Sequence, residues 1–322
     1  MGIMSIMSIF LFSILPQGKQ PVELGKVHWY RDLKQAQHLS NQQNKPILIL
    51  FQEVPGCSTC KNYGSDILSH PLVVEVIETY FIPLCIYNNT GGNDALAIKL
   101  FSEPSWNNPV VRIVDKDLRD IVLRVSGNYQ MIGLLQAISN ALAKSELALP
   151  EYLSLLKEEA QLRNSSTEEI FFQMYCFWSG ELAIGKIPGV LSTEAGFMKG
   201  GEVVKTVFNP SFISPENLIE KAKMLHVAEK IYSSNPNLLK QPKSIQLPGP
   251  FRSDSETKYY LYNSPYKSVP MTSLQAIRIN FALANHLNPQ VFLSPRQLQK
   301  LPKSSSDKNL IGKDIVSSWY SN

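Results

Sequence analysis

Hydrophobic and polar positions alternate along this chain in blocks that change period. Lys45-Pro46 opens onto Ile47-Leu48-Ile49-Leu50-Phe51, a continuous apolar run of strand length that reads as a fully buried strand. The same pattern returns in Phe81 to Tyr87 and in Val110-Val111-Arg112-Ile113-Val114-Asp115, and more weakly in Ile121 to Val125. Between and around these runs, Trp29 to Asn41 and Met131 to Leu142 carry helical spacing. The pattern predicts an α/β arrangement over roughly residues 26–143. Ala143 to Gln161, rich in Leu, Glu, Lys and Ala, reads as a helical connector, and Arg163-Asn164-Ser165-Ser166-Thr167 as a polar hinge. Beyond it, Ile170-Phe171-Phe172 reads as a strand end and Met271 to Ala284 as an amphipathic helix. Ser233 to Glu256, with its four prolines, reads as a surface loop, and residues 303–322 as a loose tail. No internal repeat is present.

At 322 residues the chain has room for two cores of ordinary size. A formal net charge of +4, from 31 basic and 27 acidic residues without a basic run, leaves no footprint for nucleic acid. Gly200-Gly201 lacks the Lys-Ser/Thr that a phosphate-binding loop needs. Ile3 to Leu15 is an apolar stretch of signal-peptide length. It has no preceding Lys or Arg and no Ala-x-Ala site, so export, to the periplasm or to a membrane-anchored position facing outward, is the expectation for residues 1–25 and a cytoplasmic leader the alternative.

The first candidate chemistry is Val54-Pro55-Gly56-Cys57-Ser58-Thr59-Cys60-Lys61, a CxxC directly after the first buried run. Entering a helix, the first thiol gains from the amide dipoles and stays exposed, while the second lies one turn on within disulfide reach. A zinc site would need two further ligands at compact spacing, and neither a second CxxC nor a His pair is present. Asn108-Pro109 stands immediately before the third strand run. Taken with the order of elements, the CxxC and Pro109 resemble the thioredoxin-like family. That resemblance implies a cis-proline at 109 facing Cys57 and Cys60 and pairing with substrate backbone. The family's buried aspartate below the CxxC has no evident counterpart.

The second candidate is Cys176-Phe177-Trp178-Ser179-Gly180-Glu181. With Gly189-Val190, Thr193, Gly196-Phe197, Gly200-Gly201, Glu202-Val203-Val204, Phe208-Asn209-Pro210, Ile213-Ser214 and the Asp254 to Tyr259 spacing, it resembles the methionine sulfoxide reductase A family over about the second half of the chain. The resemblance implies a ferredoxin-type α+β domain over 168–302 and reduction of methionine-S-sulfoxide in peptides or proteins. Cys176 would be the nucleophile, and Glu202 the proton donor, for which burial would have to raise its pKa. Tyr259 would supply a hydroxyl, Asp254 would orient the site, and Phe177 and Trp178 would line the methyl pocket. Three departures stand out. Met174-Tyr175 replaces two glycines, Phe197 replaces a hydrogen-bonding tyrosine, and the loop between the double glycine and Glu202 is missing.

Four cysteines connect the halves. Cys85 lies in an apolar strand pattern and reads as inert core. No cysteine follows Cys176, so its sulfenic acid needs an outside reductant, and a fused CxxC domain supplies one that a thiol or membrane electron donor would recharge. This thiol chemistry requires no cofactor. The competing expectation is a thiol-disulfide oxidoreductase whose second domain is a non-catalytic binding platform.

Overall fold

A computed structural model describes residues 20–104, 106–240, 245–304 and 306–321. The expected export segment, Ile3 to Leu15, lies outside the described residues. Among those described, no helix is long and apolar enough to cross a membrane.

The first body is built on β1 (Ile47–Gln52), β2 (Ile82–Tyr87) and β3 (Val110–Val114), in the order β2-β1-β3. β1 runs parallel to β2 and antiparallel to β3. Because strand side chains alternate between faces, the apolar run Ile47 to Phe51 of β1 feeds two cores at once. Leu48 and Leu50 join one cluster, and Ile47, Ile49 and Phe51 the other. α1 (Leu33–Gln43) is N-capped by Asp32, whose carboxylate accepts the Gln35 N–H, and stops at Asn44 in the left-handed region. α2 (Ser58–Asn62) starts within the CxxC, with Cys57 as its N-cap, and passes through a π-helical turn, Tyr63–Ile67, toward α3 (Pro71–Tyr80). α4 (Asn93–Leu100) joins β2 to β3, and α5 (Met131–Lys144) closes the layer.

Ile121 to Val125 does not form the expected fourth strand. Ile121 N–H bonds Ile113 O and Val125 pairs with Val111, but the chain between them is longer on the 121–125 side, so the ladder opens. Leu123 is thrown out to 93% exposure, and Arg124 turns away to pair with Glu103.

The connector is also not one continuous helix. A turn through Glu146 at φ 56° and Pro150 separate α5 from α6 (Glu151–Arg163). α6 is shared structure rather than a free linker, since Tyr152, Leu153 and Leu156 enter the first core while Leu162 enters the second. The polar hinge is tied down, with the buried Asn209 amide donating to Leu162 O and Ser165 Oγ.

The second body holds β4 (Glu168–Met174), β5 (Val190–Met198), β6 (Gly201–Phe208), β7 (Lys230–Ser233), β8 (Ile245–Gln246) and β9 (Arg252–Ser253), in the order β8-β7-β4-β6-β5-β9. All pairings are antiparallel except β7 with β8. The supporting helices are α7 (Phe177–Ile184), α8 (Pro215–Met224), α9 (Pro236–Leu239), α10 (Tyr259–Tyr262), α11 (Ser273–Ala284) and α12 (Pro295–Gln299), while α13 (Ile315–Tyr320) returns to the first body beside α3. Thus the 233–256 loop carries two short strands and a helical turn.

The expected loose tail is in large part packed. Leu310 and Ile315 are buried, Ile315 within the first core, and Asp314 caps α13 through the Ser317 N–H. The Tyr320 hydroxyl donates to Ser69 O next to α3. Apolar residues spaced along this segment, Leu310 and Ile315 among them, give it a face to bury.

Candidate active sites

Each thiol site begins where a strand hands over to a helix. At the end of β1 the chain turns through Gly56, and Cys57 becomes the N-cap of α2 with extended backbone, φ −67° and ψ 177°. Cys57 is exposed and Cys60 buried, with their Sγ atoms 3.5 Å apart as free thiols. The Cys60 backbone N–H, helped by that thiol and Thr59, holds Cys57 below the ordinary thiol value. Burial above all, and then the neighbouring Cys57, pushes the Cys60 thiol up to about 12. The pair is therefore polarised, with an accessible nucleophile in front and a protonated thiol behind it. The Cys60 thiol donates to Asn108 Oδ1 at 2.7 Å, and the Asn108–Pro109 peptide is cis.

Two residues here were not anticipated. Glu23 is buried, and its carboxylate accepts the Gly56 N–H at 2.9 Å. Gln52 bridges Glu23 O and Cys60 O with its side-chain amide. The run Pro21-Val22-Glu23-Leu24 carries no signal for this, because a carboxylate thirty-odd residues upstream shows no periodic link to the CxxC. Glu53 brings a carboxylate oxygen within 4.8 Å of both sulfurs. That makes three donors where a structural zinc site takes four. Cys85 is wholly buried and its thiol is raised to about 12 by desolvation, which makes it inert.

The second site is assembled by strand register. β4 faces β6 with Met174 opposite Glu202, and β5 faces β6 with Phe197 opposite Glu202. Cys176, two residues past Met174, therefore emerges beside Glu202 and Phe197. It is half-buried and N-caps α7, and the Phe177 N–H in the first turn donates to Glu202 Oε2 at 2.9 Å. Ser179 Oγ lies 3.5 Å from Cys176 Sγ. An aromatic wall runs from the nucleophile outward. Phe177 meets Phe197 edge-on at 5.3 Å, Trp178 lies 5.5 Å from Phe177, and Tyr259 stacks on Trp178 at 4.2 Å. Trp178 Nε1 donates to Asp254 Oδ2 at 3.2 Å, and Asp254 is itself fixed by its N–H to Ala195 O. Arg252 lies over the outer face of Phe197 at 4.4 Å.

The structure thus brings Cys176, Glu202, Phe177, Trp178, Phe197, Asp254 and Tyr259 to one end of the second sheet, and Cys57, Cys60 and Pro109 to one end of the first. It also accounts for the Met174 departure. A Cβ at Gly180 would fall 1.8 Å from Met174 Sδ, so the sulfur fills the space that glycine leaves on the facing helix. Tyr175, the other departure, projects at 91% exposure.

Comparison with known proteins bears on both parts of the chain. Residues 28–116 match the thioredoxin-like family. This part of the chain is a thioredoxin-like domain. A further stretch is homologous to peptide methionine sulfoxide reductase MsrA of Methanococcus maripaludis, 37% identical over 73 residues and covering 17% of this chain and 46% of the relative. Peptide methionine sulfoxide reductase A5 of Oryza sativa subsp. japonica is 28% identical over 93 residues, covering 25% of this chain and 37% of the relative. The chain thus spans less than half the length of these curated relatives. Among solved structures, a DsbH oxidoreductase aligns with 14% identity and a TM-score of 0.31, over 42% of this chain and 96% of that one. The six-stranded sheet with its helices is consistent with an α+β domain of the methionine sulfoxide reductase A kind beside the thioredoxin-like one.

Proposed function

We propose that this protein reduces methionine-S-sulfoxide in peptides or proteins at Cys176 and draws its electrons from the Cys57–Cys60 pair. The observation that carries the reading is the convergence of a half-buried thiol, a carboxylate hydrogen-bonded to the thiol's helix, and a four-ring aromatic wall at the end of one sheet. A sulfoxide needs a thiolate at sulfur and a proton at oxygen, and an apolar wall holds its methyl group.

In the first step the oxygen passes from the substrate to Cys176: the sulfoxide S–O bond breaks, a Cys176 S–O bond forms, the reduced sulfide leaves, and a proton from Glu202 on the transferred oxygen makes Cys176 a sulfenic acid. Cys57 thiolate then displaces that oxygen as water and forms a mixed disulfide. Cys60 attacks Cys57 Sγ, releasing Cys176 as thiol and leaving the CxxC oxidised, and a dithiol donor returns the two electrons. Asp254 holds the Trp178 indole, and Tyr259 stacks against it with its hydroxyl available to the sulfoxide.

One observation favours a second reading. Phe197 has no hydroxyl beside Glu202, so the wall contributes a single phenol, Tyr259. On that reading the CxxC is the sole redox centre and the Cys176 pocket only binds partner chains.

The deciding assay is reduction of an S-sulfoxide peptide with dithiothreitol by the wild type and by Cys176→Ser. Loss of sulfoxide reduction in the variant, with insulin-disulfide reduction unchanged, is the expected result. A wild type that reduces disulfides but no sulfoxide selects the binding-platform reading.

A further inference from the structure

Behind the aromatic wall sits a buried charge pair that the sulfoxide chemistry does not use. Glu181 lies on α7 one turn past Trp178 and is 2% exposed. Its Oε2 accepts the Lys258 backbone N–H at 2.5 Å, and its Oε1 accepts Thr257 Oγ1 at 3.2 Å and Lys258 Nζ at 3.3 Å. Lys258, 6% exposed, also donates its ammonium to Thr193 O and to Thr193 Oγ1 on β5. Thr257 Oγ1 in turn accepts the Ala195 N–H. One carboxylate therefore ties together the helix that Cys176 caps, the strand that carries Phe197, and the segment between Asp254 and Tyr259.

Two features say this pair sets geometry. A buried ion pair rarely outperforms apolar residues of equal volume, because desolvating both charges offsets their attraction. Lys258 also adopts φ 55°, a region unfavourable to a residue with a Cβ, and that conformation aims its N–H at Glu181. The groups it holds are the ones that matter next door. Tyr259 follows Lys258 directly and stacks on Trp178, while Asp254, four residues earlier, grips the same indole.

We propose that Glu181 and Lys258 form a positioning pair that fixes the height of the Asp254–Tyr259 segment over α7, and through it the placement of the Trp178–Tyr259 stack beside the helix that Cys176 caps. As a statement about catalysis it rests on the sulfoxide-reductase reading above. As a statement about geometry it does not.

The test compares the full chain with Lys258→Met and with the double variant Glu181→Gln/Lys258→Met, which removes both charges and spares the interior an unpaired carboxylate. Each protein is studied well below its own Tm, so that only folded molecules are compared. The near-UV circular dichroism of the Trp178–Tyr259 stack, taken as the difference from Trp178→Phe, reports geometry. kcat/KM on an S-sulfoxide peptide reports catalysis, and insulin reduction by the CxxC is the internal control.

The expected result for the double variant is a diminished stack signal and kcat/KM lower by roughly 10- to 100-fold, the scale of a small misplacement, with insulin reduction unchanged. A wild-type stack signal, or wild-type kcat/KM in a variant whose stack signal is lost, overturns the proposal. If the wild type reduces no sulfoxide, the reductase reading falls, and the stack signal alone decides the positioning pair.

Discussion

The two sulfurs of the CxxC differ less in chemistry than in surroundings. Cys57 meets solvent and backbone amides, and Cys60 meets the protein interior and the charge of its neighbour. Because Cys60 is held near 12, it stays protonated while Cys57 titrates below the ordinary thiol range. Within the CxxC, iodoacetamide should therefore label Cys57 and spare Cys60 between about pH 6 and 9, with a rate that levels off below the pH expected of a free cysteine. Peptide mapping by mass spectrometry over that range checks this, and early labelling at Cys60 would contradict it. The same shift bears on stability. Cys60 is protonated in both folded and unfolded chains well below pH 9, and between about 9 and 12 the unfolded thiol ionises while the folded one does not, so stability falls as pH rises through that range.

At the scale of elements, register does the work that motif spacing only hints at. Glu202 comes to the start of α7 because Met174 pairs opposite it, and the Phe177 N–H, next to Cys176, fixes the carboxylate against the helix's first turn. If Glu202 supplies the proton, Glu202→Gln should lower sulfoxide turnover by roughly 100-fold or more while binding of substrate changes little. Steady-state kinetics with a sulfoxide peptide would show it, and an unchanged kcat would remove Glu202 from the reaction.

What could be read in advance follows the same division. Strands β1, β2 and β3 and the helices around the CxxC were legible, because continuous apolar runs and a cysteine pair at a strand end are local signals. The fourth strand was misread for a physical reason. Val122, Leu123 and Arg124 have strand composition, yet the arc they span is too long for the facing segment of β3. Glu23 and Gln52 escaped notice since their contacts with the CxxC are made across the sequence. α6 was seen as a helix, but its pattern could not reveal that opposite ends of it enter different cores.

For the whole molecule, the contacts joining the two bodies run along α3, α6 and α12. Arg296 pairs with Glu78, and its N–H is accepted by Glu75. Glu78 stands just before β2 begins, whereas Cys57 follows the far end of the parallel strand β1, about 20 Å away at strand rise. Cys176 likewise lies a full strand beyond the end of α6. Each thiol is thus set back from these contacts by about a strand length, and the prediction is that exchange runs from one molecule to another. In Cys60→Ser, one turnover with sulfoxide should trap a Cys57–Cys176 link as a covalent dimer whose yield rises with protein concentration. Non-reducing gels and mass spectrometry would reveal it, and a concentration-independent link within one chain would refute the reading.

The junction also responds to acid. His70, buried at the start of α3 with Asp314 and Arg163 nearby, is lowered to about 4, chiefly by desolvation. Its folded pKa lies below its unfolded one, so its contribution is fully present above about pH 6.5 and is lost as pH falls toward 4. The loss amounts to about 3 kcal/mol. Thermal melts from pH 7 to 4 should show this slope, and His70→Asn should flatten it.

The packing of α6 and of the 310–320 segment has a consequence for anyone cutting this gene into modules. Tyr152, Leu153, Leu156 and Ile315 seal a face of the thioredoxin-like body that residues 26–143 cannot cover themselves. At roughly 1.5–3 kcal/mol each, their removal rivals the whole stability of an ordinary domain, about 5–15 kcal/mol. An N-terminal fragment cut at residue 143 is thus expected to clump rather than serve as a portable reductant, and the two bodies are expected to fold best as one chain.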